Sequence, residues 1–182
     1  MSEQLDVLIL VANTLVDIDV DYMISGSMAI TFYAVPRMTR DIDIVIELES
    51  TGVGKLVTAF GKEFYIDEDS VRSAIASSSI FNMLHNETLI KVDLIIRKNT
   101  EYRALEFQRR QTFKLGETQI SVVSAEDLIL SKLVWAKESQ SELQLGDVRL
   151  LVNTDHRKLD WEYLQAWAVE LGVGAQLELA RS

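Results

Sequence analysis

Leu5, Leu8, Ile9, Ala12, Leu15 and Val16 recur at the spacing of one helical face, which predicts an amphipathic first helix ahead of the acidic turn Asp17 to Asp21. Tyr22-Met23-Ile24 is a short apolar run that predicts a strand. Gly26-Ser27 breaks it and opens a helix through Met28 to Tyr33, which Val35-Pro36 ends because proline disfavours helical geometry in its predecessor. Asp41-Ile42-Asp43-Ile44-Val45-Ile46 alternates charged and apolar side chains, as a strand does. Helices are expected over Gly52 to Gly61 and Glu68 to Ser77, and paired strands over Ser79 to His85 and Leu89 to Ile96, joined by a turn at Asn86-Glu87. Gln111 to Leu115 and Gln119 to Val123 flank Gly116 as a second hairpin. From Ser124, whose hydroxyl suits a helix start with Asp127 three positions on, the pattern is helical to the end.

Strands in the first two thirds and helices in the last third predict an α+β fold with a terminal helical lobe: a core over residues 1–123 and helices over 124–182, packed as one compact unit. The 182 residues are 48% apolar with eight glycines and one proline, an ordinary globular composition. No cysteine is present, which excludes disulfides, thiolate zinc sites and a cysteine nucleophile, and fits a reducing cytoplasmic setting. The N-terminus lacks a basic leader and no apolar run approaches the ~20 residues that span a bilayer, so neither export nor membrane insertion is expected. A formal charge of −10 opposes a broad basic nucleic-acid footprint. Positive residues nevertheless gather at Arg37 and Arg40 and at Lys91, Arg97, Lys98, Arg103, Arg109 and Arg110. The second group is expected to be a solvated mixed surface.

Candidate chemistry begins at Asp41 and Asp43. On a strand, residues i and i+2 share a face, so both carboxylates lie on one side while Ile42 and Ile44 pack on the other. Adjacent anions on a largely buried sheet repel each other and need a proton or a cation. Asp93, the lone acid in the apolar strand Leu89 to Ile96, is a third carboxylate whose burial would be costly unless its strand lies beside that of Asp41 and Asp43, where the same metals would serve all three. Transfer from a nucleoside triphosphate requires this kind of site, with one or two Mg²⁺ ions on carboxylates and a cradle for the phosphates. Gly26 and Ser27 suit the cradle, since glycine permits close backbone approach and a helix start presents free N–H groups.

A Gly-Ser pair, thirteen residues, Asp-x-Asp in a strand, then a later strand aspartate: this arrangement resembles the DNA polymerase β-type nucleotidyltransferase superfamily. Val35-Pro36-Arg37-Met38-Thr39-Arg40-Asp41-Ile42-Asp43 resembles in particular the branch of AbiEii-type toxins and aminoglycoside or lincosamide adenylyltransferases. So does Ser124-Ala125-Glu126-Asp127-Leu128-Ile129-Leu130-Ser131-Lys132-Leu133 followed by Asp147-Val148-Arg149. The resemblance implies a small mixed sheet flanked by helices, with Mg²⁺ at Asp41, Asp43 and Asp93. It also implies an NTP donor such as ATP, bound through Gly26, Ser27, Arg37 and Arg40, with Lys132 either helping to bind the nucleotide or holding the lobe together and Asp147 near the active cleft.

Each residue also has a plainer reading. Gly26 ends a strand, Arg37 and Arg40 are loop charges, and the Lys132 stem runs along the apolar face of Leu128, Trp135 and Ala136. Asp147, after Gly146, is then an acid near a helix start. His85 and His156 lack partners at catalytic spacing and read as structural or surface. Trp135, Trp161 and Trp167 read as core. The reaction expected is Mg²⁺-dependent transfer of a nucleoside monophosphate to a hydroxyl of RNA, protein or a small molecule. The alternative is a non-catalytic, nucleotide- or partner-binding member of a toxin–antitoxin pair.

Overall fold

The structure is a computed structural model that describes residues 2–35, 39, 41–154 and 158–181. Pro36, Arg37, Arg40 and His156 lie outside the described residues, and with them the expectations placed on Arg37 and Arg40 as phosphate contacts.

Seven strands form one mixed sheet: β1 (Tyr22–Ile24), β2 (Ile42–Ile46), β3 (Phe64–Tyr65), β4 (Ile80–His85), β5 (Lys91–Ile96), β6 (Gln111–Leu115) and β7 (Thr118–Val122), in the order β3-β4-β5-β2-β1-β7-β6. Nine helices are described: α1 (Glu3–Asp17), α2 (Gly26–Ala29), α3 (Val53–Phe60), α4 (Glu68–Ser77), α5 (Glu101–Gln108), α6 (Ala125–Ser139), α7 (Glu142–Val152), α8 (Trp161–Glu170) and α9 (Gly174–Arg181). The fold is thus α+β, as expected. None of these helices is long and apolar enough to cross a membrane.

Alternation along the central strands decides which face is covered. Ile42, Ile44 and Ile46 of β2, Val92 and Leu94 of β5, and Phe81 and Met83 of β4 are almost wholly buried. Against this face pack α1, α3 and α4, which contribute Leu8, Val11, Leu15, Leu56, Phe60, Val71 and Ala74 to the same core. Burying apolar area at ~25 cal/mol per Å² is what holds the sheet to these helices. The intervening residues Asp43, Val45, Asp93 and Ile95 are only half-buried and face the other way. That second face is where α5 and α6 approach.

Good caps start the helices: Ser2, Asp67, Thr100, Ser124, Ser141 and Asp160 each accept from a backbone N–H of the first turn. At Ser124 the cap is reciprocal, because its hydroxyl also donates to the Asp127 carboxylate at 2.6 Å. Asp127 is fully buried and further accepts from Tyr163 Oη at 2.6 Å and Arg109 Nε at 3.0 Å, which joins α6 to α8 and to the end of α5. Lys132 and Asp147, both buried, pair at 2.8 Å and pin α6 to α7. Asp147 therefore sits within α7 rather than near its start, as the acid at a helix dipole would.

Candidate active site

The central geometry is the pairing of β2 with β5. The two strands run parallel with Asp43 directly abreast of Asp93, so the two carboxyl-bearing residues stand on neighbouring strands about 4.8 Å apart and project from the same face. On one side Asn82 of β4 continues the row, abreast of Asp93. On the other, the Ser25 N–H donates to the Asp43 carbonyl at 2.9 Å. Asn82, Asp93 and Asp43 thus form a polar row across three strands, which Ser25, the residue after β1, extends. The burial cost that the sequence attaches to Asp93 is relieved in part here, since its side chain is 16% exposed and ion-paired.

Gly26 follows Ser25 at φ +58°, a left-handed conformation that glycine adopts without strain. A Cβ placed on it would lie 1.9 Å from Asp43 Oδ2. Backbone and carboxylate are packed so tightly that only glycine fits, which gives this position a stricter reason than ending a strand. Ser27 is buried in the first turn of α2.

Asp41 lies one residue before β2, half-exposed, on the same side as Asp43. Between Asp41 and Asp93 stands Lys91. Its Nζ is 2.8 Å from Asp93 Oδ2 and 3.7 Å from Asp41 Oδ2. The hydrogen bond to Asp93, with the negative charges of all three aspartates, holds the Lys91 ammonium above its usual range. Burial, then the charges of Asp93 and Asp41, push the Asp43 carboxyl up, while Lys132 and Lys91 pull it down. The Lys132 ammonium is engaged by Asp147 and by Gln144 Oε1 at 3.0 Å, yet its field reaches Asp43.

Asp41, Asp43 and Asp93 lie toward one face and offer hard oxygen donors of the kind Mg²⁺ takes. As they stand, no three Asp, Glu or His side chains among the described residues are gathered into a complete metal-binding group. The ammonium of Lys91 lies between two of them.

A cleft of about 360 Å³ runs from Ser25 along the same face. Val45, Ile80 and Ile95 floor it, the Ser77 to Ser79 turn closes one end, and Trp135 of α6 forms a wall. Arg103 of α5 also lines it, held by both oxygens of buried Glu106 at 2.9 and 2.8 Å and donating to Ser131 Oγ at 2.6 Å. Burial raises the Glu106 carboxyl, and the Arg103 charge and the Ser131 hydroxyl oppose that rise. Trp135 is thus a cleft residue and not core, while Trp167 packs on Tyr102 and Trp161 under Arg181.

Most of the second basic group is likewise not a solvated surface. Lys91, Arg97, Arg103, Arg109 and Arg110 pair respectively with Asp93, Glu47, Glu106, Asp127 and Asp21. His85 is structural, buried and hydrogen-bonded to Thr88. Sequence reasoning missed Lys91, Asn82 and the Arg103-Glu106-Ser131 cluster as site components. The signal for Lys91 was present: Lys91-x-Asp93 has the same two-residue period as Asp41-x-Asp43.

No family model matches the chain, and no curated protein matches it in sequence. Solved structures do match. Over 94% of this chain and 98% of the other, it superposes on ANT(2")-Ia in complex with adenylyl-2"-tobramycin with a TM-score of 0.64 at 14% identity. An antigenic nucleotidyltransferase-like protein from Paracoccidioides brasiliensis gives 0.58 at 15% identity, covering 97% of this chain and 90% of that one. The lincomycin-bound lincosamide adenylyltransferase LnuA gives 0.55 at 13% identity, covering 84% and 98%. The architecture is accordingly the nucleotidyltransferase fold.

Proposed function

We propose that this chain is a nucleotidyltransferase that moves a nucleoside monophosphate from a nucleoside triphosphate to a hydroxyl acceptor, releasing pyrophosphate, and that it belongs to the AbiEii-type or adenylyltransferase-like branch. One observation carries the reading. Asp43 and Asp93, far apart in sequence, stand abreast on paired strands, with Gly26 pressed against Asp43.

In this reading Asp41, Asp43 and Asp93 are the residues that would hold Mg²⁺, and its charge would offset that of the triphosphate. The carboxylate of Asp93 accepts the proton of the acceptor hydroxyl, a role its place beside Asp43 suits. Gly26 and Ser27 offer backbone and hydroxyl donors to the phosphates. Arg37 and Arg40, by their place in the chain before β2, reach the same triphosphate. Lys132 acts through its field at Asp43 and through its hold on α7. Of the helices from 124 onward, α6 walls the cleft, where the acceptor sits.

The cleft speaks to acceptor chemistry. Arg97, Lys98, Arg103 and Glu106 are its charged lining over an apolar floor; Arg97 and Arg103 are paired with Glu47 and Glu106, so Lys98 tips the balance to positive. A neutral or anionic acceptor fits this better than a polycation such as the aminoglycoside carried by ANT(2")-Ia. The test is incubation with each α-labelled NTP and Mg²⁺ against total cellular RNA, protein, a lincosamide and an aminoglycoside. Label on one acceptor supports the proposal. Metal-dependent NTP binding with no labelled product on any acceptor would leave a nucleotide-binding module instead.

A further inference from the structure

We infer that the acceptor is a small hydroxylated acid, an apolar body bearing a carboxylate or a phosphate, and that Arg103 grips its anionic group; this rests on the nucleotidyltransferase reading above. The cleft beside the carboxylate row carries the argument. Val45 and Ile95 on its floor follow Asp43 and Asp93 by two residues on the same strand face, which puts the floor about 6.6 Å along the strands from the row. A molecule lying on this floor brings a hydroxyl within reach of Asp93.

Arg103 is held in an unusual way. An arginine facing a carboxylate ordinarily gives it two nitrogens in parallel bonds. Here Nη1 alone meets both Glu106 oxygens, at 2.9 and 2.8 Å, and the Ser131 hydroxyl at 2.6 Å. Nε and Nη2 make no hydrogen bond among the described residues, and neither is sealed from solvent. This unbonded edge of the guanidinium matches a carboxylate or a phosphate with two parallel bonds. The side chain is only 23% exposed and is fixed by Glu106 and Ser131, so the donors are in place before a ligand arrives.

A second observation points into the same cleft. Ser25 is 4% exposed, yet its hydroxyl lines the cavity with no hydrogen-bond partner among the described residues. A buried hydroxyl in that state is satisfied by water or by a ligand atom. Ser25 belongs to the carboxylate end, since its N–H holds the Asp43 carbonyl at 2.9 Å. Trp135, Val45, Ile80 and Ile95 supply the apolar lining, and a cavity of about 360 Å³ is of small-molecule size.

The charges favour an anion. Glu106 offsets Arg103, but it is 3% exposed and turns its oxygens to Arg103 and Ser131, so it offers a ligand no acceptor. Exposed Lys98 adds a positive charge that no acid pairs among the described residues. A cationic acceptor would meet donors alone.

The test is binding, not turnover. With Mg²⁺ and saturating α,β-methylene-ATP present, para-hydroxyphenylacetate, its uncharged amide and phenyl phosphate are titrated calorimetrically into the protein. Both anions should bind at least about 10-fold tighter than the amide, and the tighter of the two separates a carboxylate from a phosphate as the group recognised. Arg103→Lys keeps a cation opposite Glu106 but loses the fork, and should weaken the anions about 10- to 100-fold while leaving the amide unchanged. The double variant Arg103→Met with Glu106→Gln removes both charges together and should show the same loss; thermal melts check that both proteins are folded. An amide that binds as tightly as the anions, anion binding undiminished in both variants, or no binding by any probe would overturn the inference and leave nucleotidyl transfer standing. Arg103-dependent anion binding in a protein that labels no acceptor would overturn the acceptor role together with the nucleotidyltransferase reading.

Discussion

Gly26 and Asp43 are in contact so close that a single added carbon on the glycine would lie 1.9 Å from the Asp43 carboxylate oxygen. The Gly26→Ala protein must therefore push Asp43 out of the row and hold alanine at a positive φ, the latter alone costing about 1–2 kcal/mol. Transfer should fall by about 10²-fold, the usual effect of an ~1 Å displacement of a reacting group. Single-turnover kinetics with a labelled triphosphate, beside a thermal melt showing a folded protein, checks it.

Asp43 also sets a dependence on pH. Its carboxyl is raised above the ordinary 3.8 by burial and by Asp93 and Asp41, so the fold binds this proton more tightly than the unfolded chain does. The stability that protonation confers is full below 3.8 and is lost as pH rises through the raised value. In EDTA at pH 7 the Asp43→Asn protein, which never carries the charge, should melt above the unaltered one. That margin should close as pH falls toward 3.8. A margin that widens on acidification would contradict the electrostatic account.

Lys132 and Asp147 make a buried pair, and removing one partner leaves an uncompensated charge. Lys132→Met should lose about 3–5 kcal/mol in urea unfolding. The double replacement Lys132→Met with Asp147→Leu should recover most of that loss, because both charges go together.

Tyr163 donates to the Asp127 carboxylate at 2.6 Å, and Arg109 lies over the Tyr163 ring at 3.8 Å. Tyr163→Phe keeps the ring and deletes the donor, so about 1.5–3 kcal/mol of stability should vanish. Hydrogen exchange in α8 should rise, since this bond ties α8 to α6.

Much of the site was legible because its logic is local. Asp41-x-Asp43 amid isoleucines, and Asp93 alone among apolar neighbours, declare a strand and a shared face before any partner is known. Their adjacency across β2 and β5 was a conditional expectation, since pairing between distant strands is set by the whole core and not by either segment. The elements that escaped notice have physical reasons. Two-residue β3 is too short to show alternation. In α5 the inward face includes Glu106, a charge that breaks the apolar period because Arg103 and Ser131 satisfy it. The same cause hid the basic residues: Lys91, Arg103 and Arg109 looked like surface charges, and only the fold brings Asp93, Glu106 and Asp127 to them. Trp135 read as core because its neighbours Leu133, Val134 and Ala136 are apolar, whereas the cleft opens beside it.

The central claim is that the Asp43–Asp93 row transfers nucleotides, and paired variants test it most directly. Proteins carrying Asp43→Asn or Asp93→Asn, confirmed as folded, are incubated with α-labelled NTP, Mg²⁺ and the acceptor the unaltered protein labels. The account predicts covalent label with the unaltered protein and none above background with either variant. Undiminished labelling by the Asp43→Asn protein would contradict it.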